Sequence, residues 1–422
     1  MAAKHYKWTV GGTPAELERH SEAKHELLRQ YLTRYLRTLV ASPMQEVLRV
    51  TIVDGFAGGG LYVRKGTTDV VSGSPLICLE AVREAKFLIE REQQRRKPIE
   101  LDVDFFFVDA DPSAVAYLTN VLRERDYRPN EDGSGVRVLH GQFTDHSEQI
   151  VKAISRKSAR AGKSIFILDQ YGYAEVPAAA LRQITSTLSK AEIILTFYVD
   201  SFVTYASEEN RRRFEQRTGI DPFSGRTIEE IKSSRSWRLF IQQNCITSLQ
   251  LEANARYFTP FFLRPERGHG DIWLVHLSQH VKARDVMTEV HWSGKNFVHP
   301  GGNGLDMLGF SAKAAALDPG LFDTPSNEFD AIARERTIAA LMLDVPNHLT
   351  PAAVPFGEFF AQHCNNTPAT RKIVSEVVYD LVSQGEVSLR TQADHQRRSA
   401  AAIRDGDLIF LPQQTRFFFP SR

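Results

Sequence analysis

The sequence predicts an α/β protein: a Rossmann-like, doubly wound sheet with a helical insertion, followed by a C-terminal winged helix. Three observations carry this. Short apolar runs of strand length alternate with helical patterns through the first two thirds of the chain. The first run breaks into glycines: Val50–Tyr62 reads VTIVDGFAGGGLY. The last part reads helix, turn, helix and two-stranded ribbon, the winged-helix order.

The glycine turn organises the rest. Val50–Val53 is a short buried strand that ends in Asp54, and Ala57, Gly58, Gly59 and Gly60 follow the aromatic Phe56. Open α/β sheets bind nucleotides where a strand breaks into glycines at its carboxyl end. Glycine permits positive φ and lets a ligand approach the backbone. We expect a pocket for S-adenosylmethionine (SAM), with Asp54, Gly58 and Gly60 on its methionine side and Phe56 a further cofactor contact. The alternative is a tight strand-to-helix turn with no ligand. Gly55 and Gly58–Gly60 do not supply G-x-G-x-x-G, which disfavours a nicotinamide cofactor.

Composition narrows the classes. A length of 422 residues suggests two to three domains. Lys and Arg number 52 against 51 Asp and Glu, so any nucleic-acid site must be a local patch. Cys78, Cys245 and Cys364 stand far apart and form no CxxC pair, which indicates neither a disulfide framework nor a metal site. The sequence has no signal-peptide h-region and no apolar run of about 18 residues. A soluble, cytoplasmic protein is the expectation.

Residues 1–14 read as an extended arm. Leu17, His20, Lys24, Leu27, Leu28, Tyr31, Leu32, Tyr35, Leu36 and Leu39 then mark one side of a long amphipathic helix. Lys24 and His25 lie in it, as surface residues or as groups brought to the cleft. Residues 55–73 read as a loop, after which Ser74–Pro75 opens a helix with Ser as its N-cap. The second strand, Val103–Val108, runs into Asp109, placed to bind ribose hydroxyls; Asp111 before Pro112 reads as a helix cap. After a third strand, Val136–Leu139, Gln142 or Phe143 would border an adenine.

The fourth strand, Ser164–Leu168, ends in Asp169-Gln170-Tyr171-Gly172, the second chemical stretch. A polar acceptor followed by an aromatic can hold the amino group of a planar base and stack on its ring. The bland account makes Asp169 a helix cap and Tyr171 a packing residue. A fifth strand, Glu192–Val199, brings Asp200 and Ser201 to the same edge. Residues 207–250 are rich in Arg and read as a helical insertion with a solvated face. Tyr257–Leu263 and Ile272–Leu277 would form a closing antiparallel pair.

Residues 299–327 are turn-rich and read as a linker. The expected layout is therefore a Rossmann-like domain over 1–295, a linker and helix over 296–345, and a winged helix over 346–422. In the winged helix, Arg371 and Lys372 start the second helix and are candidate substrate contacts. Such modules also dock proteins.

Taken together, these segments resemble the three-Cys-motif partner (TcmP) family. The resemblance rests on His20-Ser21, Lys24-His25, Leu28 and Tyr31-Leu32; on Asp54-Gly55-Phe56-Ala57-Gly58, Gly60 and Tyr62; and on Gly73-Ser74-Pro75. It continues through Val108-Asp109, Asp169 with Tyr171-Gly172, and Ser278, His280, Met287 and Trp292. It implies a class I methyltransferase fold and a cysteine-rich, radical-SAM-like protein partner. On that footing the expected function is SAM-dependent methyl transfer to DNA, RNA or an associated substrate. The alternative is a non-catalytic specificity subunit. Asp169 and Tyr171 would orient the acceptor, Lys24 and His25 would bind phosphate or assist proton removal, and Gln170 and Asp200 would touch substrate. The family's strand-four pattern resembles Asp-Pro-aromatic-Gly; here Gln170 replaces the proline, which either loosens the turn or offers its own amide to substrate.

Overall fold

The computed structural model describes residues 6–157, 162–198, 200–233, 237–263, 272–294, 297–298, 302–307, 329–391, 395 and 397–412. They fall into two units, 1–298 and 299–422.

In the first unit the strands are β1 (Ala15–Leu17), β2 (Val47–Asp54), β3 (Leu61–Arg64), β4 (Val70–Ser72), β5 (Glu100–Asp109), β6 (Val136–His140), β7 (Ser164–Leu168), β8 (Ala191–Phe197), β9 (Tyr257–Leu263), β10 (Ile272–Ser278) and β11 (Phe297–Val298). The helices that position the site are α1 (Arg19–Leu39), α2 (Ser74–Gln93), α3 (Pro112–Arg123) and α4 (Phe143–Lys157). They are followed by α5 (Ala178–Thr187), α6 (Asp200–Thr204), α7 (Glu208–Thr218), α8 (Ile228–Lys232), α9 (Trp237–Glu252) and α10 (Val281–Ser293).

Eight strands form one sheet in the order β11-β9-β10-β8-β7-β2-β5-β6. From β6 to β8 every pairing is parallel. β10 then runs antiparallel between β8 and β9, the closing pair expected from the sequence. This is the mixed α/β sheet predicted for a class I methyltransferase fold. β7, β8, β9 and β10 are buried along their whole lengths, as continuous apolar runs covered on both faces require. The order reverses at β2, whose neighbours are β5 and β7. The crevice outside the carboxyl ends of these strands is the topological switch point, where such sheets take ligands.

Two local readings need correction. Residues 55–73 are not all loop: β3 and β4 pair antiparallel, and β1, which directly follows the arm and takes in Leu17 of the expected helix, adds to β3 in parallel. This small sheet ties the arm to the glycine turn, a pairing of distant segments that no local pattern announces. The N-cap of α2 is Gly73, in extended conformation, with Ser74 and Pro75 already inside the helix.

The second unit holds α11 (Ala331–Asn347), β12 (Val354–Pro355), α12 (Phe356–His363), α13 (Arg371–Gln384), β13 (Ser388–Arg390) and β14 (Leu408–Phe410). The strands form a sheet in the order β12-β14-β13. Thr370 caps α13 by accepting the Ile373 N–H, and Gly385 ends it in the left-handed region. α11, read from the sequence beside the linker, packs on α13 and carries Arg334 into an ion pair with Glu376. Residues 308–328 of the expected linker lie outside the described residues.

Candidate functional site

The site begins with β2. Its last residue, Asp54, is fully buried; Oδ1 accepts the Phe56 N–H at 3.1 Å. Oδ2 is buried and has no hydrogen-bond partner, although the Ser74 hydroxyl is close enough to favour the charged form. Burial dominates, and Asp169 and Asp109 add repulsion, so the Asp54 carboxyl is pushed up to about 7. Gly58 and Gly60 adopt φ of +58° and +80°, the left-handed region that L side chains resist.

Asp109 ends β5 beside this turn. Its Oδ2 accepts the Gly58 N–H at 2.7 Å and its Oδ1 accepts that of Asp111 at 2.8 Å. Burial raises its pKa against the pull of those two donors. Each oxygen keeps a lone pair for a further donor, such as a ribose hydroxyl. Asp111 is a helix cap, as read from the sequence: it accepts the Ser113 N–H at 2.8 Å.

Asp169 follows β7 and is no helix cap, since α5 starts only at Ala178. Lys24 of α1 places Nζ 2.6 Å from both Asp169 oxygens. The Lys24 side chain is 10% exposed and that of Asp169 34%, so the carboxylate keeps an open side. Burial alone would lower the lysine and raise the acid. Their mutual attraction outweighs it, with Tyr198 and Thr196 contributing hydrogen bonds, and both stay charged. His25 is pushed down to about 4 by burial and by the Lys24 charge, so it is neutral near pH 7.

Helix α1 reaches the site because its apolar stripe, Leu27, Leu28, Tyr31, Leu32, Tyr35 and Leu36, is buried. Tyr31 also hydrogen-bonds the buried Glu192 of β8 and lies 3.0 Å from His276 Nε2 of β10. That polar anchor fixes the helix that carries Lys24. Tyr171 stands at the opening, 54% exposed.

Three expected contacts take other roles. Phe143 is buried under the turn: a Cβ on Gly55 would lie 3.0 Å from its ring, which also meets Phe166 edge-on. It packs under the turn rather than standing open beside it. Gln170 is fully buried, and its side-chain oxygen accepts the Glu175 and Val176 N–H groups at 3.1 and 3.0 Å. It braces the loop after β7 where the resemblance had a proline, so the turn is tied rather than loosened. Its Nε2 is buried without a partner. Arg371 is held by Asp405 at 2.7 Å and covers the Phe356 ring, while Lys372 is exposed beside it; both belong to the second unit. The Asp200 side chain lies outside the described residues. Phe56 is half-buried beside Asp54.

The sequence reading expected the arm but missed its packing on the glycine turn. Trp8 is buried and donates Nε1–H to the Leu61 carbonyl at 3.2 Å. Its indole lies on the glycine turn; a Cβ on Gly59 would come within 2.4 Å of it. Tyr6 meets Trp8, Tyr62 and Tyr171 at ring-centroid distances of 5.6, 5.5 and 6.3 Å. The signal was a Tyr-x-Trp alternation in an otherwise polar stretch. A groove of about 540 Å³ lined by Ala178, Arg182, Gln183 and Glu252 lies on the helical flank, away from these groups.

The residues present fit an S-adenosyl ligand on two counts. A buried carboxylate, Asp54, has an oxygen without a partner for a cationic group, and Asp109 offers acceptor capacity one strand away. Among the described residues no cluster of His, Cys, Asp and Glu suits a metal ion, and no helix is long and apolar enough to cross a membrane.

A family model described as a GMT-like wHTH domain matches residues 317–394. The solved structures similar to the chain include the following. A protein from Legionella pneumophila is 10% identical, with 61% of this chain and 85% of that one covered and a TM-score of 0.35. An rRNA methylase from Streptococcus thermophilus is 10% identical over 62% and 97% of the two chains, TM-score 0.27. The DszA carbon methyltransferase is 14% identical over 63% and 56%, TM-score 0.31. A search of curated proteins finds no match. Likenesses this distant say nothing of substrate. What stands is a methyltransferase-type sheet built by the strand order itself and, in the second unit, a winged-helix domain.

Proposed function

We propose that the chain is a SAM-dependent methyltransferase whose acceptor is an amine of nucleic acid. The observation that carries this is the Lys24–Asp169 pair at the carboxyl end of β7, one strand from the glycine turn, with the carboxylate open on one side. Asp54 and the turn would hold the methionine end of the donor, and Asp109 the ribose. Bound there, SAM supplies an electrophilic methyl group. Asp169 would accept an N–H of the acceptor amine and aim its lone pair at that carbon. Positioning lowers most of such a barrier. The donor would keep the C–S electron pair on its sulfur, and the methylated nitrogen would become acidic enough to release a proton to a base held beside it. Asp169 or bulk water takes the released proton. Lys24 holds Asp169 ionised before transfer, so that it can accept the N–H, and neutral His25 would accept a hydrogen bond but not pair with phosphate.

The second reading is a non-catalytic partner subunit, including a partner of the cysteine-rich protein that the resemblance implies. It is favoured by the arm, whose Trp8 covers Gly58 and Gly59, and by the engagement of both Asp169 oxygens with Lys24. Transfer of tritiated methyl from SAM to mixed DNA and RNA separates the two. The enzyme reading expects incorporation that falls at least a hundredfold in Asp169→Asn with the fold intact. No incorporation by wild type, with a protein partner co-purifying, favours the subunit.

A further inference from the structure

The exposed ring of Tyr171 does not stand alone. Tyr6 faces it, with centroids 6.3 Å apart and planes inclined by 46°. Trp8 and Tyr62 pack against Tyr6 at 5.6 and 5.5 Å, so that wall is braced while Tyr171 stays more than half exposed. Asp169 lies two residues before Tyr171. The Tyr6 hydroxyl is near enough to Lys24, Tyr171 and Tyr198 to influence all three.

A planar base held between two rings needs about 7 Å, two stacking distances of ~3.4 Å each. At 6.3 Å between centroids and 46° of tilt the two rings pack on each other, so the pair is closed as it stands, and the exposed Tyr171 must rotate away from the braced Tyr6 to admit a base. We propose that Tyr6 is the second aromatic wall of an acceptor slot opposite Tyr171, and that the slot takes a nucleobase drawn out of a nucleic-acid strand. This rests on the methyl-transfer reading for the role of Asp169.

Charge argues against a lysine or arginine side chain as occupant. Such a cation would enter beside the Lys24 ammonium, which already neutralises Asp169. A base amine is neutral, and its ring fills the space between two flat walls, as in enzymes that extrude a base to reach it.

The test uses a short single strand carrying one 2-aminopurine, whose fluorescence is quenched on stacking. The full chain is compared with Tyr6→Phe, Tyr6→Leu and Tyr171→Leu, each checked for an unchanged melting temperature and for SAM affinity by calorimetry. Wild type and Tyr6→Phe should quench. Tyr6→Leu and Tyr171→Leu should bind the strand on the order of tenfold more weakly and leave the fluorophore bright. A Tyr6→Leu protein that quenches like wild type overturns the proposal, as does a wild type that never quenches. Adenosine 5′-monophosphate competing as well as the strand would overturn the strand part and assign the slot to free nucleotides. Quenching by a wild type that binds no SAM supports the slot and defeats the methyl-transfer reading alone.

Discussion

Asp54 shows how a single residue ties the fold to the donor pocket. Its carboxyl titrates near 7 because burial penalises the charged form. In the unfolded chain it titrates near the ordinary value of 3.8. Between about 4 and 7 the fold therefore binds the extra proton, and stability falls as pH rises through that window. At ~1.4 kcal/mol per pH unit the loss over that window is on the order of 4 kcal/mol. Asp54→Asn should flatten this slope, read from urea unfolding at a series of pH values; an unchanged slope would assign the titration to another group. The acid was legible in the sequence because it ends a strand before glycines. Its missing partner was not, since burial of one oxygen depends on Ser74 and on strands far along the chain. Lys24 was half legible: a charge on the apolar stripe of α1 announces a buried partner, but the identity of Asp169, 145 residues away, does not follow from spacing.

At the scale of elements, the glycine turn answers to the arm as well as to a ligand. A Cβ on Gly59 would collide with the Trp8 indole. Gly59→Ala should destabilise the chain by roughly 1–3 kcal/mol through overpacking. Trp8→Ala should cost about 3–5 kcal/mol through the cavity it leaves. In the double variant the added methyl fills vacated space, so its cost should be less than the sum, measured as a coupling free energy in a thermal or urea cycle. Additive costs would mean that Gly59 is constrained by something other than the arm. The sequence revealed β2, β5, β7, β8 and the β9–β10 pair because each is a compact apolar run. It did not reveal β1, β3 and β4, which are three or four residues long and exist through pairing with each other. Gln170 is similar: loss of a proline suggested a looser turn, whereas a buried side chain replaced a rigid ring by two hydrogen bonds to the same loop.

For the whole molecule, near-zero net charge rules out a general basic surface, and the second unit follows suit. Arg371 is engaged by Asp405, Arg397 by Asp407 and Arg334 by Glu376. For nucleic acid held through α13, Lys372→Ala should lower the slope of log affinity against log salt by about one. Arg371→Ala should leave that slope near wild type while lowering the melting temperature; the reverse pattern would assign phosphate contact to Arg371. The central claim is that the crevice outside β2 and β5 binds SAM, and titration calorimetry of the full chain with SAM tests it most directly. Wild type should bind with one-to-one stoichiometry, and Asp109→Asn, which keeps an oxygen for Gly58 but loses the charge, should bind at least tenfold more weakly. No heat from wild type, or equal affinity in the two proteins, would contradict it.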